Sequence, residues 1–210
     1  LASLVLLPLY VRERQLTPGI PVSRTGWLAI AALALTAICL YNALYFGALA
    51  HAPSTDAILL VPTTNPVWTV MFAWLLLQER PNRRLTLAIS ISLLGMLLVL
   101  VGSFAGEYDR ERVIGNLMAI GAAVIFGSSH VVSRFAIRHV SPLGATALAG
   151  AIGSLVLLPF AFIQGGVGQL LDAGVGFWLS IAFIAFCGTA LAYVLWYRGV
   201  RSIGAGRTAF

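Results

Sequence analysis

Apolar residues run through this chain in long unbroken blocks separated by short polar punctuation. After an opening stretch at Leu1–Val11 come six blocks: Trp27–Leu49, Ala57–Leu77, Leu85–Phe104, Val113–Ser133, Leu143–Ile163 and Phe177–Tyr197. Each is close to the roughly 20 residues that an α-helix needs to cross the hydrocarbon core of a bilayer. In lipid, every backbone N–H and C=O must be satisfied within the segment or within a closed barrel. Barrel strands would alternate apolar and polar positions, and these blocks do not. The pattern predicts an all-α integral membrane protein, a polytopic helix bundle of six spans preceded by a partial one.

Composition strengthens this reading. Hydrophobic residues make up 60% of the chain, charged residues 10%, and the mean hydropathy is +0.94. A soluble domain carries about a quarter charged residues, so this chain has too few to cover a surface facing water. A large soluble core would explain apolar residues but not blocks of this length. The net charge of +6 comes from thirteen basic residues, all arginine, set in small groups beside the apolar blocks. That placement fits topology signals better than a phosphate-binding face, so nucleic acid is not expected as a partner. Cys39 and Cys187 lie inside apolar blocks without paired spacing and are expected to be packing residues. No charged region precedes the opening block, so no signal peptide is expected and the chain should begin partway through a helix.

Charge placement sets the threading. Arg12, Arg14 and Arg24, then Arg80, Arg83 and Arg84, then Arg134 and Arg138, then Arg198, Arg201 and Arg207 fall on one side. The opposite loops hold only Arg110 and Arg112, outweighed by Glu107, Asp109 and Glu111, together with Asp56 and Asp172. The positive-inside rule makes the arginine-rich side cytoplasmic. The hexapeptide SLVLLP then occurs in two helices of opposite direction, at Ser3–Pro8 and Ser154–Pro159. At nearly the same offset, Tyr41, Tyr45, Gly47 and Ala57 match Tyr193, Tyr197, Gly199 and Ala209. Inverted repeats of this kind are a signature of transporter folds. They divide the chain into residues 1–105, the later part of a first repeat, and 113–210, the earlier part of a second. Completing both gives two five-helix repeats, so the chain is expected to be a fragment of a ten-helix protein.

The stretch "ALYFGALAHAPSTDAILLVPTTNPVWTVMFAWLLLQERPNRRLTLAISISLLGMLLVLVG" resembles the EamA family of the drug/metabolite transporter superfamily. The resemblance lies in the Ala/Gly-rich end of one helix, Pro66 within the next, Glu79 at its cytoplasmic end and Gly95 in the third. "GNLMAIGAAVIFGSSHVVSRFAIRHVSPLGA" resembles the opening helix of the family's second repeat, with Phe126 where many members have tryptophan. The resemblance implies a ten-helix bacterial inner-membrane carrier with cytoplasmic termini, a central cavity and a small-molecule substrate, moved outward.

Candidate contact residues follow from polar groups at depth. In "VPTTNP", Val61–Pro66, the prolines lack amide hydrogens and free the carbonyls of Ile58 and Pro62. With Thr63, Thr64, Asn65 and Pro66 these make a substrate or water contact, or else a kink satisfied within the helix. In "GSSH", Ser129 and His130 lie within a span, where an ionisable group is by default a functional hypothesis. His130 suits coupling to protons, although it lies only one turn before Arg134, which is expected to snorkel to the interface. Tyr41, Asn42 and Tyr193 are candidates to face a shared cavity, whereas Trp196 and Tyr197 read better as an interfacial aromatic belt. Glu79, beside Arg80, Arg83 and Arg84, reads as an interfacial ion pair or helix end. Two stripes of small residues, Gly115/Ala119/Ala123/Gly127 and Ala145/Ala149/Gly153, predict close helix contacts.

The function these features favour is secondary transport of a small metabolite or drug-like solute in a lipid environment, with no cofactor or metal. Nothing resembles an ATP-binding loop, so the energy would come from a gradient or from the solute itself. The alternatives are an integral-membrane enzyme and a non-transporting membrane subunit. The first lacks HExxH, GxSxG or a ligand cluster, and the second has no need of Asn42 and Asn65 in mid-span.

Overall fold

The computed structural model describes residues 2–16, 21–79, 83–104, 110–163 and 173–208, apart from the side chains at 99, 103, 104, 161, 193, 205 and 206. Arg80, Glu107, Asp109 and Asp172, used above for topology, lie outside the described residues, as does the side chain of Tyr193. Every described element is helical. In chain order they are α1 (Ala2–Leu16), α2 (Arg24–Ala34), a π-helical stretch Leu35–Leu40 and α3 (Tyr41–His51). Next come α4 (Ser54–Leu77), α5 (Arg83–Phe104), α6 (Arg110–Ala136) and α7 (Pro142–Ile163). The chain ends with α8 (Val175–Phe183), a second π stretch Ile184–Leu191, α9 (Ala192–Ile203) and the short α10 (Ala205–Thr208).

Among the described residues, six helical stretches are long and apolar enough to cross a membrane: Arg24–His51, Ser54–Leu77, Arg83–Gly102, Arg110–Ala136, Pro142–Phe160 and Val175–Ile203. They coincide with the six predicted blocks and extend some of them by up to a turn or two. The extension is physical, because arginine and glutamate are good helix formers and the helix continues past the lipid boundary into the headgroup layer. Both π stretches interrupt long spans. Displaced by 152 residues, the offset of the sequence repeat, Leu35–Leu40 falls on residues 187–192 and overlaps Ile184–Leu191. π segments are rare and concentrate at functional positions.

The chain divides into two compact units. The first comprises Leu1–Cys39 and Phe135–Arg198. Here α1 and α7 pack antiparallel, since a Cβ added to Gly150 would meet Ser3 while one added to Gly144 would meet the ring of Tyr10. The two SLVLLP copies thus lie in helices of opposite direction within one unit. The stripe Ala145/Ala149/Gly153 is buried, and Gly153 carries no side chain because Ile38 fills that place. Capping fixes the start of α7: Ser141 Oγ accepts from Gly144 N at 3.0 Å and donates to Glu13 Oε2 at 2.6 Å, with Pro142 at the first helical position. Tyr197 is only 2% exposed, which overturns its reading as an interfacial belt residue. Trp196, beside it, is half-buried.

The second unit comprises Leu40–Arg134 and Gly199–Phe210. Its core is built from Ala48, Ala57, Leu60, Val61, Ala119, Ala122 and Ala123, flanked by Tyr41, Tyr45 and Trp68. Alanine dominates because α6 lies close to both α3 and α4. A Cβ on Gly115 would collide with Ala52 and the carbonyl of Ala48, and one on Gly127 would collide with Trp68 and the backbone of Thr69. The small stripe of α6 therefore serves two neighbours, α3 at one end and α4 at the other. Without a hydrophobic force between helices in lipid, such close backbone approach is what holds them.

Candidate functional site

Within the second unit α4 and α6 run parallel, joined at three levels. At the start of both helices Arg112 donates from Nε to Asp56 Oδ2 at 2.8 Å and from Nη2 to Oδ1 at 3.2 Å, a two-pronged pair. Asn116, one turn further along α6, adds a donor to Asp56 Oδ2 at 3.3 Å. Asp56 is 5% exposed, so its charge is carried almost entirely by these partners. At the far end Glu79 Oε1 meets Arg134 Nη1 at 3.0 Å. Gln78 makes this possible by closing α4 in the left-handed conformation, φ 55°, which turns the next residue under the helix end.

Between these ends, one turn of α6 before Arg134, Thr69 Oγ1 and His130 Nδ1 are 3.1 Å apart in a buried bond between α4 and α6. Thr69 Oγ1 also donates to the carbonyl of Asn65 at 2.9 Å and lies 3.4 Å from its side-chain oxygen. The other face of His130 meets Phe126 edge-on at 4.6 Å between ring centroids. Phe126 stacks on Tyr41 of α3 at 4.4 Å, and Tyr41 stacks on Tyr45 at 5.6 Å. Thus a continuous run, Tyr45–Tyr41–Phe126–His130–Thr69–Asn65, threads three helices at membrane depth. Ser129 is buried beside it, with its hydroxyl donated to the carbonyl of Phe126 at 2.6 Å. The indole Nε1 of Trp68 and Oδ1 of Asn116 are buried with no hydrogen-bond partner among the described residues. An unpaired group of this kind costs about 1–3 kcal/mol, which a ligand acceptor or donor could recover.

The sequence-predicted residues separate accordingly. Tyr41, Asn65 and His130 come together; Ser129 adjoins them through its own backbone bond. Asn42 is half-buried one position further round α3, and Tyr193 lies in α9. Thr63 and Thr64 do not join the run. Their hydroxyls donate to the carbonyls of Leu59 and Leu60, and the Thr63 methyl faces Gly95 of α5. Helix α4 continues through both Pro62 and Pro66, so this half of the motif is spent on its own helix. Two further expectations change. His130 is enclosed by protein at 3% exposure, although a neighbouring turn reaches the interface. Glu79, expected to form an interfacial ion pair or a helix end, is paired across two helices with Arg134, which was expected to snorkel.

Thr69 and Phe126 were missed because each looks ordinary alone. The available signal was spacing: Asn65 and Thr69, like Phe126 and His130, stand four residues apart and share a helix face.

Comparison with known proteins adds a family to this geometry. The EamA-like transporter family model matches residues 1–101 and 113–210. The uncharacterized transporter YyaM of Bacillus subtilis is 27% identical over 196 residues, covering 92% of this chain and 64% of that protein. The uncharacterized transporter YetK of the same organism is 23% identical over 207 residues, covering 98% of this chain and 62% of that protein. The pseudopaline exporter CntI of Pseudomonas aeruginosa is 30% identical over 133 residues, covering 63% of this chain and 44% of that protein. The chain therefore spans less than two thirds of the length of these relatives.

Proposed function

We propose, since this chain belongs to the EamA-like transporter family, that it carries part of the translocation pathway of a secondary transporter. It is a multi-pass protein of the bacterial inner membrane. The transported species is a small organic solute, and the direction is outward, in keeping with a relative named as an exporter. The observation that supports this reading best is the run of Tyr41, Phe126, His130, Thr69 and Asn65 across α3, α6 and α4. A helix bundle that only scaffolds has no use for an imidazole, an amide and stacked phenols at membrane depth, where each must be satisfied at a cost.

In this reading the aromatic faces of Tyr41 and Phe126 supply apolar contact. Asn65, Trp68 and His130 supply the few polar groups that fix a solute's orientation. Coupling to protons belongs to the same proposal, with His130 as the carrier, because histidine is the side chain that exchanges protons near neutral pH. Residues 1–105 and 113–210 are read as parts of two inverted repeats whose small rocking motions alternate access.

The test is efflux from proteoliposomes holding the protein expressed from its complete reading frame. Asn65→Ala and His130→Ala are expected to lower the rate at least tenfold with folding retained. An imposed pH gradient should drive the wild type and not His130→Ala. Wild-type rates in both variants would remove the site assignment, and an empty-vesicle rate in the wild type would remove the transport reading for the solutes tried.

A further inference from the structure

The arginine-rich end of the second unit contains a cavity of about 370 Å³, lined by Glu79, Arg134, Arg201, Ser202, Gly204 and Arg207 among others. Its construction begins with Gly204, the residue that separates α9 from α10. Its φ of +90° is a conformation that glycine adopts readily and other residues rarely. The turn also presses the backbone onto the Glu79–Arg134 pair: a Cβ at this position would lie 2.9 Å from Glu79 Oε1 and 3.2 Å from Arg134 Nη1. Arg134 is spent there, donating to Glu79 at 3.0 Å and to the carbonyl of Val200 at 3.4 Å. The same turn sets Arg201, before the break, and Arg207, after it, on the wall of one cavity.

The charges do not cancel. Among the described residues that line the cavity Glu79 is the single carboxylate, against the three arginines Arg134, Arg201 and Arg207, and it pairs with Arg134. Topology alone asks for arginines near this interface, but it does not require two of them to converge on one half-open cavity. Guanidinium groups bind phosphate through two parallel N–H donors, and such pairing strengthens where water is partly excluded. We propose that this cavity is a binding site for a phosphate group, with Arg201 and Arg207 as its ligands and the Glu79–Arg134 pair as its floor. The phosphate can come from a soluble anion or from an anionic lipid headgroup of the cytoplasmic leaflet. The site is separate from the buried run of Tyr41 and His130 and does not rest on the transport reading.

The experiment uses the protein from its complete reading frame in two kinds of nanodisc, one of phosphatidylcholine and one with added phosphatidylglycerol. Binding of radiolabelled inorganic phosphate is measured at equilibrium. In phosphatidylcholine the wild type should bind phosphate, more weakly as sodium chloride is raised. Arg201→Gln/Arg207→Gln should weaken binding at least tenfold. Arg83→Gln/Arg84→Gln, which removes equal charge close by but off the wall, should change it less than twofold. Arg201→Lys/Arg207→Lys, retaining charge without the fork, should fall between, and its recovery separates loss of the site from loss of the fold. If the lipid is the natural source, phosphatidylglycerol should displace phosphate and remain bound to the wild type but not to the Gln variant in native mass spectrometry. Equal loss in the two Gln variants, or neither phosphate nor lipid bound through Arg201 and Arg207, would overturn the proposal.

Discussion

Replacing Gly127 by alanine tests the contact on which the candidate site depends. The added Cβ would sit 2.7 Å from Trp68 Cβ, 2.9 Å from Thr69 N and 3.1 Å from Trp68 C. Carbon atoms in comfortable contact stand about 3.5–4.0 Å apart, so α4 and α6 must separate by about 1 Å at this level. Two of the three atoms struck belong to backbone, which cannot rotate aside. Overpacking of this kind costs about 1–3 kcal/mol. The 3.1 Å bond between Thr69 and His130 lies on the same turns. A displacement of about 1 Å takes it out of hydrogen-bonding range, a further loss of about 0.6 kcal/mol for a typical interhelical bond in a membrane. Together the expected destabilisation is about 1.6–3.6 kcal/mol. Gly121→Ala is the internal control, because its Cβ would meet only the tip of Leu44 at an ordinary 3.5 Å and it carries the same gain in helix propensity. The assay is unfolding in mixed micelles of increasing denaturing detergent, followed by helical circular dichroism, with solute efflux measured on the same preparations. Gly127→Ala should be less stable than Gly121→Ala and slower in efflux. Equal stability and equal rates would mean that α4 and α6 do not meet where the structure joins them.

The pair at the opposite end gives a second outcome. Arg112→Ala leaves the buried Asp56 carboxylate without its two-pronged partner and should cost about 3 kcal/mol. Asp56→Ala/Arg112→Ala should cost clearly less than the sum of the two single changes, and additivity in this double-mutant cycle would show that the pair is not formed. Topology gives a third. In a cysteine-free background, a cysteine at Arg83 should react with a membrane-impermeant thiol probe only after the cells are opened, and one at Arg110 in intact cells. The reverse pattern would invert the threading derived from the arginines.

The spans themselves were legible because a bilayer imposes a local rule: about 20 apolar residues in succession are needed wherever a helix crosses. The six blocks from Trp27 to Tyr197 therefore appear in the structure nearly where the sequence places them. The small stripe of α6 was legible for a similar reason, since a residue type repeated every fourth position defines a face without knowledge of what it meets. What it meets was not legible. Gly115 serves α3 and Gly127 serves α4, and nothing in the stripe distinguishes the two ends.

Polar residues were harder still. Thr63 and Asn65 stand two positions apart, yet Thr63 turns to its own helix and to α5 while Asn65 reaches the Thr69–His130 bond. Two positions on an α-helix differ by more than half a turn, so the partner of each depends on which neighbour occupies that side. Glu79 shows the same limit: three arginines lie close to it in sequence, but the left-handed turn at Gln78 sends it to Arg134, fifty-five positions away. Local sequence determined which segments are long and apolar enough to cross a bilayer and which helix faces are smooth, because those are properties of single segments against a uniform solvent. Only the packing of helices against one another decided which polar groups meet, because a contact is a property of two segments and neither one encodes the other's position.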